Sequence, residues 1–542
     1  MTKKTIIPIT VADPLVTAWL DTSDFGNGKR IVAVAAGRLL WIEDLQAFAH
    51  YDGTRWSLER GAIEAQRIAH KVIEHIDAEA TALGEIAENA IALRERVGAW
   101  CTPELAQKRV ETLRGHAVRS GSAGMTSGML KQARSFLTAM LADFDTDELI
   151  YNTLNCTLRF VEVDKKWTVK AHPHDPNDML MQVANVIYDP KATATFWTER
   201  LEMLTPDPEQ LAAFKPLYGY SLTGLSSDQS FYVHQGKGGD GKSMTHMALA
   251  DLHGDYYRHA GIKTFLQGRD GGGAEHRSDL VRLRGDIRFV TSDEPKKSSV
   301  WDGETIKQIT GSFVTARGAN ERTEITFKPR FKLFIECNII PRAPSDDKGF
   351  RRRFKLFMWS VSLDETPAGA MQPDEVLRRL KEEKSGILNW LIDGALEWLT
   401  TRSIPQPSAM SDALADFWAD SSPLLDWMAE WCDTSDKVAM EPAKRLHDHF
   451  KQWCEDAGIE HVLNPTAFGR ALRDKHHGVY KDGRGTRWRK GIRLREQPHY
   501  GHRSAPPAAA GSLPPVGEAS AEPAVGDVTA DDCVPPFDGD DA

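Results

Sequence analysis

The chain has 542 residues, a formal net charge of −10, and 41% hydrophobic and 27% charged residues. This composition is ordinary for a soluble globular protein, and the length allows roughly three or four domains. No apolar run is long enough to span a bilayer, and the N-terminus is too polar for a secretory signal. We therefore expect a cytoplasmic protein without a membrane partner. The six cysteines lack a close C-x-x-C pair, which argues against a zinc knuckle or a disulfide framework.

Five segments follow one another along the chain. Residues 1–58 contain short apolar runs and an Asp-Gly turn, which predict a small β-rich segment. Residues 59–225 show mainly helical spacing, with turn-rich β-like stretches near their end. Residues 226–400 alternate strand-like and helical runs, which predicts an α/β core with a parallel sheet. After a Pro-containing linker, residues 411–496 predict helices followed by a basic hairpin, and residues 497–542 form a Pro- and acid-rich tail that we expect to be disordered.

A complete phosphate-binding motif lies at the start of the third segment. The sequence GKGGDGKS matches G-x-x-x-x-G-K-[ST], and it stands between a strand-like and a helix-like run. Backbone N–H groups of such a loop surround phosphates at a helix N-terminus. Lys242 would reach the β- and γ-phosphates, and Ser243 would hold Mg²⁺. The predicted nucleotide-binding residues are Gly236, Lys237, Gly238, Gly239, Asp240, Gly241, Lys242, Ser243 and Met244.

Polar residues end two later strand-like runs. Asp293 and Glu294 follow DIRFVTS, where we expect Asp293 to orient the metal and Glu294 to act as the base. Asn338 ends RFKLFIEC and is a candidate for orienting the attacking water or contacting the γ-phosphate; a turn cap before Pro341 is the structural alternative. An arginine cluster, Arg351, Arg352 and Arg353, precedes another apolar run, and either a solvated basic cluster or an arginine donated to a neighbouring subunit's phosphate would explain it.

The order of these motifs resembles the superfamily 3 helicase core of phage and plasmid primases of the P4 family. The similar segments are the P-loop, DLVRLRGDIRFVTSDEP, IKQITGSFVTARGANERTEITFKPRFKLFIECNIIP and GFRRRFKLF. Upstream, LNCTLRFVEV and LYGYSLTG resemble the helical D5 N-terminal domain of the same proteins. The resemblance covers about residues 40–359, with weaker similarity towards the C-terminus.

The resemblance implies an AAA+-like P-loop ATPase that uses ATP and Mg²⁺ and forms a ring, with a hexamer as the expected assembly. Lys242, Asp293, Glu294 and Asn338 would act in one subunit. Arg353 would reach the site from the next subunit, in preference to Arg352.

The same resemblance implies two DNA-contacting regions. Single-stranded DNA would pass along a channel hairpin, and the predicted contacts there are Lys307, Arg317, Arg322 and Lys328. The C-terminal segment resembles a winged-helix module that would hold duplex DNA. Its predicted contacts are Arg487, Arg489 and Lys490, among further basic residues that include Arg470, Arg473, Lys475, Lys481, Arg484, Arg493 and Arg495.

The sequence also departs from the family's pattern. Asp293 stands beside the family's single acid, and fewer than about sixty residues precede the helical region, which is far below a usual domain size. We therefore do not expect primer synthesis by this chain. The leading hypothesis is an ATP-dependent DNA helicase of phage, prophage or plasmid replication in a bacterial host. The alternatives are an origin-binding initiator or loader with little unwinding, and the helicase part of a primase-helicase with a separate primase or polymerase partner.

Overall fold

The structure is a computed structural model that describes residues 13–267, 277–296, 299–319, 324–341, 343, 347–363, 371–420, 423–456, 462–475, 477–483 and 485–496. The chain divides into two compact units after Leu425. The predicted tail, residues 497–542, lies outside the described residues. Within the described ranges, no helix is both long and apolar enough to cross a membrane.

The first unit begins with a helical layer beside a small sheet. Its elements are α1 (Pro14–Thr17), α2 (Asp24–Ala35), β1 (Leu39–Ile42), β2 (Ala47–Tyr51), β3 (Trp56–Ser57), α3 (Gly61–Ile86), α4 (Ala90–Arg96), α5 (Pro103–Ser120), α6 (Ala123–Leu137) and β4 (Thr138–Ala139). The four strands pair in the order β3-β2-β1-β4.

The prediction that residues 1–58 are β-rich is wrong for α2. Ser23 caps this helix, because its side chain accepts a hydrogen bond from the backbone N–H of Gly26. Arg30 is fully buried in the helix, and its Nε and Nη2 each donate to a carboxylate oxygen of buried Glu79 at 2.8 Å. The apolar run that begins at Arg30 therefore belongs to a helix, and the charge of Arg30 is paired in the interior.

A second antiparallel sheet and two helices follow. They are β5 (Ile150–Asn152), β6 (Thr157–Val163), β7 (Lys166–His172), α7 (Thr195–Leu204) and α8 (Pro208–Tyr220). The sheet order is β5-β6-β7. This agrees with the β-like stretches that the sequence indicates near the end of the helical segment.

The centre of the first unit is a five-stranded parallel sheet in the order β14-β8-β13-β10-β9. A two-stranded antiparallel hairpin of β11 and β12 precedes β13. The elements are β8 (Phe231–Gly236), α9 (Lys242–His253), β9 (Tyr257–Ala260), α10 (Ser278–Val281), β10 (Phe289–Ser292), α11 (Gly303–Ile309), β11 (Val314–Ala316), β12 (Ile325–Phe327), β13 (Lys332–Cys337), α12 (Lys348–Arg353), β14 (Phe354–Trp359), α13 (Pro373–Glu382), α14 (Lys384–Thr401) and α15 (Ser408–Asp420).

Both faces of the parallel sheet are buried, as expected for parallel strands. Tyr232 and Phe334 point into the core shared with α8, α9 and α14. Their neighbours Val233 and Ile335 point into the opposite core, where α11 and α12 pack. Successive residues of a strand alternate between faces, so both faces of β8 and β13 are covered.

The predicted start of the C-terminal domain at residue 411 falls inside α15, which packs on the sheet. The Phe417 ring stacks on Phe354 of β14 with a centroid distance of 5.3 Å, and Trp418 lies edge-on to the same ring at 5.5 Å. Aromatic contacts therefore hold α15 in the first unit, which extends to Leu425.

The second unit follows the predicted order of helices and a basic hairpin. The boundary between the units falls inside α16 (Pro423–Trp431). The elements that follow this helix are β15 (Cys432–Asp433), β16 (Met440–Pro442), α17 (Ala443–Asp456), α18 (Pro465–Asp474), β17 (Val479–Lys481), β18 (Arg487–Lys490) and β19 (Arg493–Leu494). The antiparallel sheet has the order β16-β18-β17. Trp427, Phe450 and Phe468 pack together beneath it, with ring centroids 5.1–5.7 Å apart.

The crossing of α8 and α14 provides a test of the packing. A Cβ atom on Gly394 would overlap the carbonyl oxygen of Lys215, and backbone cannot move aside as a side chain can. We expect Gly394→Ala to lower the free energy of unfolding by about 2 kcal/mol or more. Gly124→Ala is the matched control, because Gly124 of α6 has no atom within 4 Å of its Cβ position and alanine favours a helix. Urea denaturation of both variants measures the difference, and equal stabilities would contradict the close crossing.

Candidate functional site

The glycine-rich loop joins β8 to α9 at the carboxyl edge of the parallel sheet. Gly238, Gly239 and Gly241 have φ values of 93°, 62° and 80°, which side chains other than glycine rarely adopt. The loop therefore turns its backbone N–H groups inwards just before α9 begins at Lys242. Successive N–H groups in such a turn form a concave site for anions.

A carboxylate of the chain itself lies in this loop. Asp240 is 3% exposed, and its Oδ2 lies 2.7 Å from Lys242 Nζ. The backbone N–H groups of Gly238 and Lys242 each donate to the Asp240 carboxylate at 3.3 Å. The Asp240 carboxylate thus accepts hydrogen bonds from the lysine and from the backbone donors that a phosphate group would need.

A second carboxylate contacts the residue after the lysine. Ser243 Oγ donates to Glu336 Oε2, and His246 Nδ1 lies 2.8 Å from Glu336 Oε1. The Tyr218 hydroxyl lies 3.1 Å from His246 Nε2. Burial raises the pKa of the Glu336 carboxyl, but the contacts with His246 and Ser243 lower this pKa by more. The pKa of Glu336 therefore lies below its ordinary value.

Glu294 and Asn338 meet beside the loop. The backbone N–H of Asn338 donates to Glu294 Oε1 at 2.9 Å, and Lys242 Nζ lies 3.4 Å from Asn338 Oδ1. The structure therefore brings Lys242, Glu294 and Asn338 together, although 52 and 96 positions separate the other two from the lysine.

Asp293 lies on the far side of this group. Its Oδ1 is 2.9 Å from His259 Nε2 of β9, and both side chains are about half exposed. The strand that precedes Asp293, β10, is separated from β8 by β13. Ser243, the other predicted metal ligand, contacts Glu336 rather than Asp293.

The arginines of α12 differ in accessibility. Arg353 is 9% exposed; its Nε donates to Thr310 Oγ1 at 2.9 Å and its Nη1 to the Gly349 carbonyl at 2.8 Å. Arg352 is exposed and donates to Gln229 Oε1 at 3.0 Å. The side chain of Arg353 is thus held in the interior of the chain, whereas Arg352 lies on the surface.

The predicted hairpin contacts divide in a similar way. Lys307 forms ion pairs of 3.0 Å with Glu304 and with Asp347, the residue that caps α12, and hydrogen bonds to both carboxylates raise its pKa. Lys328 pairs with Glu148 of the preceding domain at 2.6 Å.

Of the two arginines predicted on this hairpin, Arg317 follows β11 and is half-buried, whereas Arg322 lies outside the described residues. The ion pair of Lys307 with Asp347 therefore joins α11 to the start of α12. The ion pair of Lys328 with Glu148 joins the end of β12 to the segment before β5.

In the second unit, Arg489 is buried and donates to the carbonyl oxygens of His477 at 3.2 Å and Gly469 at 2.6 Å. This guanidinium joins the hairpin to α18, so the structure assigns it to the interior rather than to the surface. Arg487 and Lys490 of the same strand are exposed, beside the 54% exposed Tyr480. Other exposed basic residues of this unit are Arg470, Arg473, Lys475, Lys481 and Arg493; Arg484 lies outside the described residues.

Sequence reasoning missed Glu336 and His246. Glu336 belongs to a mainly apolar strand, β13, and the sequence therefore predicts a buried strand there. A charged residue near the carboxyl end of such a strand is a signal of a functional site at the carboxyl edge of the sheet. His246 lies three residues after Ser243 on α9, and this spacing places both side chains on one helix face.

These residues fit a phosphate group and a divalent cation arriving together. Lys242 and the loop N–H groups match phosphate, while the Ser243 hydroxyl and the Glu336 carboxylate offer the oxygen donors that Mg²⁺ prefers. Within the described ranges, no group of three or more His, Cys, Asp and Glu side chains is arranged to hold a metal alone.

Two family descriptions match the chain. "D5 N terminal like" covers residues 28–206, and "Poxvirus D5 protein-like" covers residues 411–492. The matches flank residues 207–410, which include the glycine-rich loop and the parallel sheet.

Among individual proteins, the chain is similar to proteins of two large DNA viruses that are provisionally named helicases. The protein of Acanthamoeba polyphaga mimivirus is 33% identical over 156 residues, which is 29% of this chain and 16% of that protein. The protein of Frog virus 3 is 24% identical over 139 residues, or 25% of this chain and 14% of that protein. The matches therefore span about one sixth of these relatives or less.

Among solved structures, the apo C-terminal region of NrS-1 is 13% identical with a TM-score of 0.35, and covers 59% of this chain and 70% of that one. A second apo structure of this region is 10% identical with a TM-score of 0.33, and covers 64% of this chain and 100% of that one. The two family matches and the viral relatives agree with one another, and together they support a D5-like primase-helicase family for the regions that they cover.

Proposed function

We propose that the chain is an ATP-dependent DNA helicase of the superfamily 3 type, acting in replication as a ring of identical subunits. The observation that carries this proposal is the convergence of Lys242, Glu294 and Asn338 beside the glycine loop. The loop N–H groups of Gly238 and Lys242 converge on one carboxylate, that of Asp240. The D5-like family matches and the similarity to viral proteins that are named as helicases support a replication role.

In the proposed reaction, the loop holds the phosphates of ATP, with Lys242 against the β- and γ-phosphates. Mg²⁺, when bound with the nucleotide, neutralises charge on these phosphates at Ser243. Glu294 accepts a proton from the attacking water, and its hydrogen bond from the Asn338 N–H fixes the carboxylate at that position. Asn338 orients the water from its side-chain amide. Asp293 would contribute a negative charge at a greater distance.

The proposed site is completed by a neighbouring subunit. An arginine that reaches across an interface has to be accessible in the single subunit, and Arg352 meets this condition while Arg353 does not. We therefore propose Arg352 as the arginine that contacts the γ-phosphate of the neighbour. Arg353 would hold α12 in place through Thr310 and Gly349. A hexamer is the proposed assembly.

DNA would be held in two places. The first is the β11–β12 hairpin, which precedes β13. Its arginines, Arg317 and Arg322, would contact the phosphates of single-stranded DNA. In the second unit, the order α16, β15, β16, α17, α18, β17, β18 supports the proposal of a winged-helix module. Its exposed residues Arg487 and Lys490 would contact duplex phosphates, and such contacts weaken with salt.

The same features suit a loader that assembles on DNA with little unwinding, and the basic second unit favours duplex binding in either case. Whether the chain is a helicase or a loader, a separate primase or polymerase would supply the primers.

The helicase proposal predicts DNA-stimulated ATP hydrolysis and displacement of a labelled strand from a forked duplex. Both activities should be lost in Glu294→Gln, which keeps the size and hydrogen-bonding shape of the side chain but removes the base. Loss of about 10²–10⁴ in hydrolysis is expected for a general base. Hydrolysis without strand displacement would support the loader instead, and no hydrolysis with any DNA would contradict both.

The arginine assignment predicts different defects for two adjacent residues. Arg352→Ala should bind ATP normally but hydrolyse it at least a hundredfold more slowly, because an arginine acting in trans supplies about 10³–10⁵ in rate. Arg353→Ala should mainly lower the melting temperature, because it removes charged hydrogen bonds worth about 1.5–3 kcal/mol each. Arg351→Ala on the same helix is the control.

Mixing Arg352→Ala with Lys242→Ala should restore part of the activity, since one subunit then supplies the loop and the other the arginine. A folded Arg353→Ala protein without activity, beside a fully active Arg352→Ala protein, would reverse the assignment.

The buried Asp240–Lys242 pair predicts that Asp240 opposes nucleotide binding. Phosphates need the donors that the Asp240 carboxylate now takes. Asp240→Asn should therefore bind a fluorescent ATP analogue about tenfold more tightly, which is about 1.4 kcal/mol. Without nucleotide the variant should melt at a lower temperature, because Lys242 is left buried without its counter-charge.

Asp393→Asn makes the same chemical change at an exposed ion pair of α14 and should leave nucleotide affinity unaltered. Weaker binding by folded Asp240→Asn would show that the carboxylate assists the nucleotide.

A further inference from the structure

Glu336 is a carboxylate near the carboxyl end of β13, between β8 and β10 in the parallel sheet. It pairs in register with His234 of β8, and its side chain is 18% exposed. Removing a carboxylate from water is costly unless it is paired and hydrogen-bonded. A charged residue in this strand therefore calls for partners that hold it there.

Each oxygen of Glu336 has a defined partner on α9. Oε2 accepts from the Ser243 hydroxyl, and Oε1 lies 2.8 Å from Nδ1 of His246, which is 2% exposed. The hydroxyl of fully buried Tyr218 holds the other ring nitrogen at 3.1 Å. The row Tyr218–His246–Glu336–Ser243 thus fixes the carboxylate from the interior outwards.

The contact with Ser243 determines where the lone pairs of its hydroxyl point. A hydroxyl that donates its proton to Glu336 keeps its oxygen lone pairs for another partner. A cation at Ser243 would meet these lone pairs, with the negative charge of Glu336 directly behind the hydroxyl. Carboxylates that orient a metal's ligand in this way typically change metal affinity by about 10- to 100-fold.

We propose that Glu336, held by His246 and Tyr218, is the carboxylate that positions the divalent cation of the nucleotide at Ser243. This inference rests on the proposed nucleotide function and assigns to Glu336 the near position that the sequence indicates for Asp293. The two carboxylates differ in their contacts: the Oδ1 of Asp293 lies beside His259 of β9, whereas Glu336 contacts Ser243.

The experiment measures the contribution of the cation to nucleotide binding. Binding of a fluorescent ATP analogue to the full chain is titrated once in EDTA and once in MgCl₂, and the ratio of the two dissociation constants is compared among variants. Glu336→Gln should lower this ratio at least about tenfold, through weaker binding in Mg²⁺. Binding in EDTA should be unchanged or tighter, because a negative charge near the phosphates has been removed. A merely structural defect would weaken binding in both conditions.

Two controls separate the possible causes. Asp393→Asn makes the same chemical change, from carboxylate to amide, at the exposed ion pair with Lys215, and it should keep the wild-type ratio. His246→Leu should lower the ratio, whereas His246→Asn, which keeps a donor near the position of Nδ1, should retain most of it. This second pair tests the inference even if Glu336→Gln does not fold.

A wild-type ratio in both folded Glu336→Gln and folded His246→Leu would overturn the inference and leave the proposed function standing. Wild-type protein that binds no nucleotide in either condition would instead contradict the proposed function itself.

Discussion

Parallel pairing of β8, β13 and β10 is the constraint on which the site depends. Because the carboxyl ends of parallel strands share one edge of the sheet, residues after each strand meet there. The loop after β8, the Asn338 turn after β13 and Glu294 after β10 are brought together in this way. Aromatic and aliphatic side chains bury both faces of these strands, so the core that stabilises the sheet also fixes the edge.

The charges at this edge are balanced by residues of the chain itself. Asp240 neutralises Lys242 in the loop, and Ser243 and His246 satisfy Glu336 beside it. A nucleotide with its cation would bring the same two charge types, with phosphates for Lys242 and a divalent ion for Glu336. In the proposed function, nucleotide binding therefore replaces partners within the chain by phosphates and a divalent ion. Before the nucleotide binds, pairing with Asp240 allows the charged Lys242 side chain to lie in a largely buried loop.

Local patterns in the sequence predicted the strand–loop–helix unit and the helix-rich second unit, because glycine spacing and hydrophobic periodicity act over short distances. The hairpin before β13 was implied by the family resemblance. Local patterns failed where long-range contacts decide. The helix α2 buries Arg30 against Glu79, 49 positions away, and α15 joins the sheet through Phe354. Likewise, a run of three arginines cannot show that Arg353 turns inwards to Thr310 while Arg352 stays exposed. Glu336 is recognisable as a site residue only from its contact with Ser243, which lies 93 positions away in the sequence.

In the proposed function, the glycine loop binds nucleotide phosphates by releasing Lys242 from Asp240. An experimental structure of the full chain with a non-hydrolysable ATP analogue and Mg²⁺ tests it most directly. The account predicts that Lys242 Nζ leaves its 2.7 Å contact with Asp240 for the β- and γ-phosphates, with the cation at the Ser243 hydroxyl. A structure in which the Asp240–Lys242 pair persists while the nucleotide lies elsewhere would contradict it.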